Sequence, residues 1–262
     1  MDWKAATIHP EIQPYVRSIG ILSSPTLQFP IRNLPSGSIQ ILAQLSDESS
    51  ECHDGTKREI SGPQISVIGQ RSKYSIYKPS AGTRILCIDF FSHGASVFFR
   101  EPLASLNESS VDAGELWRQS NILARLCEAE NDTVIFQTVQ DELRLRMRRD
   151  VILKGKLTLL KSAAYLLSTG KMRSITTLAR DSGIHRRQLE RLFKEYVGLS
   201  PAAYARIQRI TNAASMISSP HGFRALEYAL DHGYYDQAHF NHDFKAVVGL
   251  SPTDYRNSSN PS

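Results

Sequence analysis

The chain has 262 residues, enough to bury substantial cores and near the size at which chains divide, so two domains are expected. No apolar run approaches the roughly 18 residues that span a bilayer, and residues 1–10 lack the charged-then-apolar order of a signal peptide, so a cytoplasmic protein with no membrane partner is expected. The net charge of +5 is uneven: residues 154–262 carry 15 Lys/Arg against 8 Asp/Glu, a net +7, while residues 1–153 carry 16 against 18, a net −2. A basic half joined to a near-neutral one suits a polyanion-binding module with a separate partner or sensor domain; an inert basic surface is the plainer alternative.

Before about residue 100, short apolar runs alternate with Pro, Gly and Ser, and residues 38–45, 64–68 and 84–91 read as strands. In the last run Arg84, Leu86, Ile88 and Phe90 alternate with Ile85, Cys87, Asp89 and Phe91, as in a sheet with little solvent on either face. A small barrel or sandwich is expected, with the polar residues 47–61 as a loop or hairpin excursion. Cys52, Cys87 and Cys127 are odd in number and widely spaced, which fits reduced packing thiols better than disulfides or a zinc site. From residue 111 to 127 and from 132 to 149 the period becomes helical, with Ile135, Val139, Leu143 and Met147 on one stripe. Arg144, Arg146, Arg148 and Arg149 crowd the end of the second helix, where cations complement its dipole or meet phosphates. Residues 150–155 read as a linker.

The pentapeptide Val-Gly-Leu-Ser-Pro occurs at residues 197–201 and again at 248–252, each time after Phe-Lys and three residues before a tyrosine, Tyr204 or Tyr255. Each copy reads as a helix stop joined to a helix start. Gly198 and Gly249 can take the left-handed conformation, Ser200 and Ser251 can cap the next helix, and Pro201 and Pro252 fit its first turn. Upstream of the first copy, Leu178, Ala179, Gly183 and Ile184, then Leu189, Leu192, Phe193 and Tyr196, have helix-turn-helix spacing. The second of these helices turns Arg186, Arg187, Glu190, Arg191 and Lys194 outward. Arginine forks match phosphate and the guanine edge, and a carboxylate can accept from cytosine, so this face suits a major groove; a solvated helix with Glu190 bridging Arg186 and Lys194 is the alternative.

Upstream of the second copy, Leu226, Ala229, Leu230, Gly233 and Tyr234 lead to Phe240, Phe244 and Val247, with Asp236 as cap. Gln237, Ala238, Asn241, His242 and Lys245 then face outward. Gln and Asn favour adenine edges, so the two heads should read different bases and one chain a non-palindromic site. Residues 201–218 read as one helix of about 27 Å at ~1.5 Å per residue, a rod that could set two reading helices in successive grooves roughly 34 Å apart.

These residues, strongest at 233–240 and from Phe244-Lys245 through Gly249-Leu-Ser-Pro252 to Tyr255-Arg256, resemble the AraC/XylS family of bacterial transcription regulators. The resemblance covers about residues 155–257. It implies a seven-helix DNA-binding domain with two helix-turn-helix units, and base contacts from Arg187, Glu190 and Arg191 and from Gln237, Asn241 and His242. His185 stands where the family commonly has a Ser-type cap. The amino-terminal half, at residues 35–41, 68–71 and 88–95, is similar to a poorly characterised subgroup, and a cupin-like fold is the expectation that this likeness implies. Family members often bind a small effector in this domain or dimerise through an adjoining helix.

The expected fold class is therefore α+β: a β-rich, barrel or cupin-like sensor or dimerisation domain with helices over 1–150, then an all-α double helix-turn-helix domain over 151–258. The expected function is that of a sequence-specific DNA-binding transcription factor, an activator or a repressor, with double-stranded DNA and RNA polymerase as partners. A small-molecule effector and a homodimer stay open. No catalytic residue, cofactor or metal is expected, because residues 1–150 show no clustered ligands, nucleophile elbow or phosphate loop, and His9, His53 and His93 are scattered. An enzyme or an interaction domain fused to a DNA-binding tail is the rival reading. His232, His239 and His242 have zinc-like spacing, but no Cys lies nearby and Asp236 is better used as a cap, so they read as groove or backbone contacts. An effector cavity could draw on Phe29, Tyr74, Tyr77 and Phe90 with Arg71 and Arg84, or those aromatics could fill an ordinary core. The stripe Ile135, Val139, Leu143 could pack on a second subunit or on its own barrel.

Overall fold

Alternation of side chains along the amino-terminal strands builds two antiparallel sheets in a computed structural model, which describes residues 2–26, 30–48, 50–53, 57–60, 62, 64–117, 120–170, 174–219 and 225–259. The strands are β1 (Asp2–Ala5), β2 (Val16–Ser24), β3 (Ile31–Asn33), β4 (Gln40–Gln44), β5 (Ser50–His53), β6 (Lys57–Ile60), β7 (Gln64–Ile68), β8 (Ser75–Lys78), β9 (Thr83–Phe90) and β10 (Ser110–Asp112). One sheet runs β1-β2-β9-β4-β7-β10 and the other β3-β8-β5-β6. In the larger sheet Ile19, Ile21, Ile41, Ala43, Ile65, Val67, Leu86 and Ile88 point to one side and are buried in the main core. Their neighbours Gln40, Leu42, Gln44, Gln64, Ser66 and Cys87 point to the other side, where the smaller sheet lies across a cavity.

Three expected boundaries move. Val111 lies in β10, opposite Val67, rather than in a helix. Only then does Asp112 cap α1 (Ala113–Leu116), its Oδ1 accepting from Gly114 N at 2.6 Å, and α2 (Ile122–Cys127) is separate. A β-branched residue opposite another β-branched residue favours the strand. Helix α3 (Asp132–Arg146) stops at Met147, where the backbone turns extended and Arg148 N donates to Val97 O. The expected linker at 150–155 falls largely in α4 (Val151–Ser168), whose first three side chains lie outside the described ones.

Ile135, Val139 and Leu143 of α3 are buried in the same core as the sheet, so the stripe is covered by its own chain. Two of the crowded arginines have carboxylate partners on this helix: Arg144 meets Asp141 and Glu11, and Arg146 meets the buried Glu142 while lying over the Trp117 ring. Arg149 also reaches Glu11.

The remaining helices are α5 (Ile175–Asp181), α6 (Arg186–Tyr196), α7 (Pro201–Ile217), α8 (Ala225–Asp231), α9 (Gln237–Val248) and α10 (Pro252–Ser259). The buried apolar residues form two clusters. The first runs from Ile12 through the sheet and α3 to α4, α5, α6 and Ala205; the second begins at Ile210 and holds α8, α9 and the end of α7. The division therefore falls inside α7. Leu34 of the β-rich part packs on the second cluster.

His93 is 5% exposed, stacked on Phe91 at 5.8 Å between ring centres. Burial pushes its pKa down from 6.5 to about 4, with a backbone hydrogen bond to Pro14 opposing and Lys161 and Arg17 adding to the depression. The unfolded chain takes up this proton first, so stability is undiminished above pH 6.5 and falls as pH drops from 6.5 towards 4. The loss from this group should be on the order of 3 kcal/mol by pH 4. Denaturant titrations between pH 7 and 4 should show it, and His93→Gln should flatten that segment of the profile.

Candidate nucleic-acid interface

The first head starts with Ser174, whose hydroxyl accepts from Thr177 N and caps α5. Gly183, at φ 69°, makes the turn, and Ile184 N returns to Ala179 O. Helix α6 then buries Leu189, Leu192, Phe193 and Tyr196 and leaves Arg186, Arg187, Arg191 and Lys194 exposed. Glu190 is half-buried and paired with Arg186 at 2.8 Å, so one of the four cations is already bridged by the only carboxylate expected on this face. Lys156 of α4 donates to the Tyr196 hydroxyl at 2.9 Å, adding a cation beside the helix. His185 occupies the cap position of α6 with no side-chain cap bond.

The second head is built alike with different chemistry. Asp236 caps α9, its Oδ1 accepting from His239 N at 2.7 Å. Phe240, Phe244 and Val247 are fully buried, and Gln237, Ala238, His242 and Lys245 are exposed. Asn241 is half-buried, and its Oδ1 is shielded with no donor among the described residues. Of the apolar residues expected to lead into this head, Tyr234 and Ala229 are buried; the side chains of Leu226 and Leu230 lie outside the described ones.

Sequence reasoning missed two residues here. Asp243 turns inward, accepting from Arg206 Nε of α7 at 2.6 Å and from the Tyr234 hydroxyl at 3.0 Å. This network locks the reading helix to the linking helix, and burial beside Asp243 pushes the Tyr234 pKa up to about 12. Its one signal is position, since Asp243 directly precedes the inward Phe244. Tyr235 is the second, an aromatic ring 88% exposed one residue before the cap of α9. The three histidines have separate uses. His232 stacks on Tyr228 at 3.8 Å, His239 meets the edge of Tyr234, and His242 faces outward.

The corners follow the repeat. Ser200 caps α7 and Ser251 caps α10, and Gly198 and Gly249 sit at φ 92° and 81°. A family model described as a helix-turn-helix domain matches residues 178–258, and one described as a domain of unknown function (DUF6597) matches residues 7–112. Over 83 residues the chain is 33% identical to the HTH-type transcriptional activator AarP of Providencia stuartii, covering 32% of this chain and 61% of that protein. Over 86 residues it is 34% identical to the F1 operon positive regulatory protein of Yersinia pestis, covering 33% of this chain and 28% of that one. Residues 178–258 are an AraC-type helix-turn-helix domain. The chain spans less than two thirds of the length of either relative. Among solved structures, an AraC-type regulator from Chromobacterium violaceum matches at 26% identity over 42% of this chain and 99% of that one, with a TM-score of 0.37. ToxT of Vibrio cholerae matches at 13% identity over 93% and 98%, with a TM-score of 0.47.

Apart from the AraC-type domain, the β-rich part holds a cavity of about 410 Å³ between its sheets. Leu22, Ile31, Leu42 and Ile85 give it apolar walls; Gln40, Gln44, Gln64 and Ser66 add polar groups, and Arg71 and Lys73 bring positive charge with no carboxylate in the described lining. Gln44 is 3% exposed; its Nε2 donates to Glu48 O and Gly62 O, and its Oε1 has no donor among the described residues. Of the six residues expected around such a cavity, Arg71 and Tyr77 line it. Phe90 is buried in the main core, Arg84 pairs with Asp132, Tyr74 packs against Gly249, and Phe29 lies outside the described residues. Cys52 and Cys87 also line the cavity, and burial pushes the Cys87 thiol up to about 12, which makes it a packing group rather than a nucleophile.

The two caps generate opposite expectations. Asp236→Ala should cost about 1 kcal/mol of stability, whereas His185→Ser should add up to about 1 kcal/mol by supplying the missing acceptor at α6. Urea unfolding of the two variants beside the parent chain checks both.

Proposed function

We propose that the protein is a transcription regulator in which residues 151–258 read one asymmetric duplex site and residues 1–150 hold and control that reader. The observation that carries this reading is the pair of unlike exposed faces on one chain: Arg187, Arg191 and Lys194 on α6, and Gln237, Ala238, His242 and Lys245 on α9. Arg187 and Arg191 supply forks for guanine O6/N7, and Lys194 and Lys245 supply phosphate contacts. With Arg186 bridged to Glu190, Arg186 serves to hold that carboxylate towards cytosine N4 rather than to reach a base itself. The Asn241 amide suits the adenine edge, accepting from N6 and donating to N7, and it meets that edge by turning its shielded Oδ1 outward. Gln237 supports the same preference, and the Ala238 methyl suits a thymine methyl. The exposed Tyr235 ring supplies a further contact to the sugar–phosphate backbone.

The matched relatives are called activator and positive regulatory protein, and on that likeness RNA polymerase is the second proposed partner. No described helix is long and apolar enough to cross a membrane. A regulator of chromosomal genes works in the cytoplasm, and the relatives' names support regulation rather than catalysis.

Selection of bound duplexes from a random pool tests the reading. The recovered site should lack dyad symmetry. Arg191→Ala should lose about 1–3 kcal/mol of specific binding and relax one half of the site, and Asn241→Ala should relax the other. Lys245→Ala should weaken binding to all sequences and lower the salt slope by about 1. A palindromic site for one chain, or unchanged preference in both base-contact variants, would sink it.

The cavity favours a second component, control by a small effector. Its volume falls in the range of small-molecule sites, and its apolar walls with Arg71 and Lys73 favour an amphipathic molecule bearing an anionic group. A bound ligand at about 100 times its Kd should raise the unfolding free energy by about 2.7 kcal/mol. A thermal-shift screen of amphipathic carboxylates and phosphates checks this, and Arg71→Ala should abolish the shift for any hit.

A further inference from the structure

The repeated pentapeptide does more than join helices, because the β-rich part holds both copies by their main chain. In the first copy Gln70 Nε2 donates to Val197 O at 2.8 Å and Asn107 Nδ2 donates to Gly198 O at 2.7 Å. In the second copy Arg32 Nη1 donates to Val248 O at 2.8 Å, and Tyr74 N donates to Val247 O at 2.8 Å. Val197 and Val248 are the same position of the repeat. The same end-of-helix carbonyl, which a helix cannot satisfy by itself, therefore takes its donor from the β-rich part in both heads. Gln70 and Tyr74 sit on one short loop between β7 and β8, so a single loop reaches both corners.

Both glycines are also points of contact. A Cβ on Gly198 would lie 3.1 Å from Asn107 and Gln70, and one on Gly249 would fall within the Tyr74 ring. The Arg32 guanidinium lies over the same Tyr74 ring, 4.3 Å from its centre. A further tie lies between the corners, where Gln208 Nε2 of α7 donates to Ser36 O at 2.8 Å.

The two heads do not share a core. The first is continuous with the core of the β-rich part, while the second has its own cluster from Ile210 onward, joined through α7 and touched by Leu34. Among the described residues, the second head is held by α7, by Asn212 Nδ2 donating to Ser168 O of α4 at 2.8 Å, by Leu34 and by the hold at 247–249.

We infer that Arg32 and the loop bearing Gln70 and Tyr74 determine DNA-site specificity without touching DNA, by fixing the spacing and rotation between the two reading helices. They are positioning residues for half-site spacing. This rests on the DNA-reading function proposed above. The β-rich part is then a template for site length, whether or not its cavity is filled.

The test uses the full chain, its Arg32→Ala variant and the donor-retaining Arg32→Lys variant, with two readouts. Hydrogen exchange without DNA should accelerate at least about fivefold across residues 237–255 in R32A, while residues 186–200 keep the parent rate and R32K stays near it. Selection from duplex pools with the two half-sites at varied separation should give one preferred separation for the parent and R32K, and two or more for R32A with the half-site sequences unchanged. Unchanged exchange in R32A would overturn the hold itself. Faster exchange with an unchanged single spacing would overturn the specificity role, as would tighter binding by R32A, since the hold would then keep the heads out of register. Failure of the parent to select any site would overturn the DNA-reading function and the specificity role with it, leaving the exchange result to judge the hold alone.

Discussion

The end of an α-helix leaves carbonyls that its own backbone cannot satisfy, and this protein satisfies the equivalent one in both heads from outside the helices. Gln70 serves Val197 and Arg32 serves Val248, each at 2.8 Å. The left-handed glycines that follow let the β-rich part come close enough to do so. Without that approach the second head, with its separate core, would keep α7, Leu34 and the Asn212 bond to Ser168 O as its described ties to the rest of the chain. Much of the architecture depends on two main-chain oxygens.

The larger sheet serves two surfaces by strand alternation. Its apolar side is the floor of the main core, where the α3 stripe and Trp117 pack, and its mixed side faces the cavity. Segments that line the cavity also run to the heads. Ile31 and Asn33 face the cavity on either side of Arg32, and Gly69, Arg71 and Lys73 line it beside Gln70 and Tyr74. Cavity wall and head support are therefore alternate residues of the same chain segments.

The heads themselves show how one scaffold carries two chemistries. Leu189 and Phe193 in one, and Phe240 and Phe244 in the other, fix the inward side of each reading helix. Everything outward is then free to differ, arginine-rich in the first and amide-rich in the second. Asp243 is the exception, a polar residue spent on orientation through Arg206 and Tyr234 rather than on display.

Much of this was legible in the sequence. The caps at Ser200, Asp236 and Ser251, the turn at Gly183, the extent of α7 and the buried residues of both heads follow from helical period and capping chemistry, which act between residues three or four apart. Local rules failed where partners are distant. Val111 joined a strand because Val67 lay opposite, Tyr74 and Arg84 left the cavity for Gly249 and Asp132, and the α3 stripe was claimed by its own sheet. The sequence by itself determined two helix-turn-helix units with unlike exposed faces, joined by a repeated corner. Only the tertiary structure decided what holds the corner, because its partners lie 127 and 216 residues away and the acceptors are main-chain carbonyls, which every residue carries and no residue type can mark.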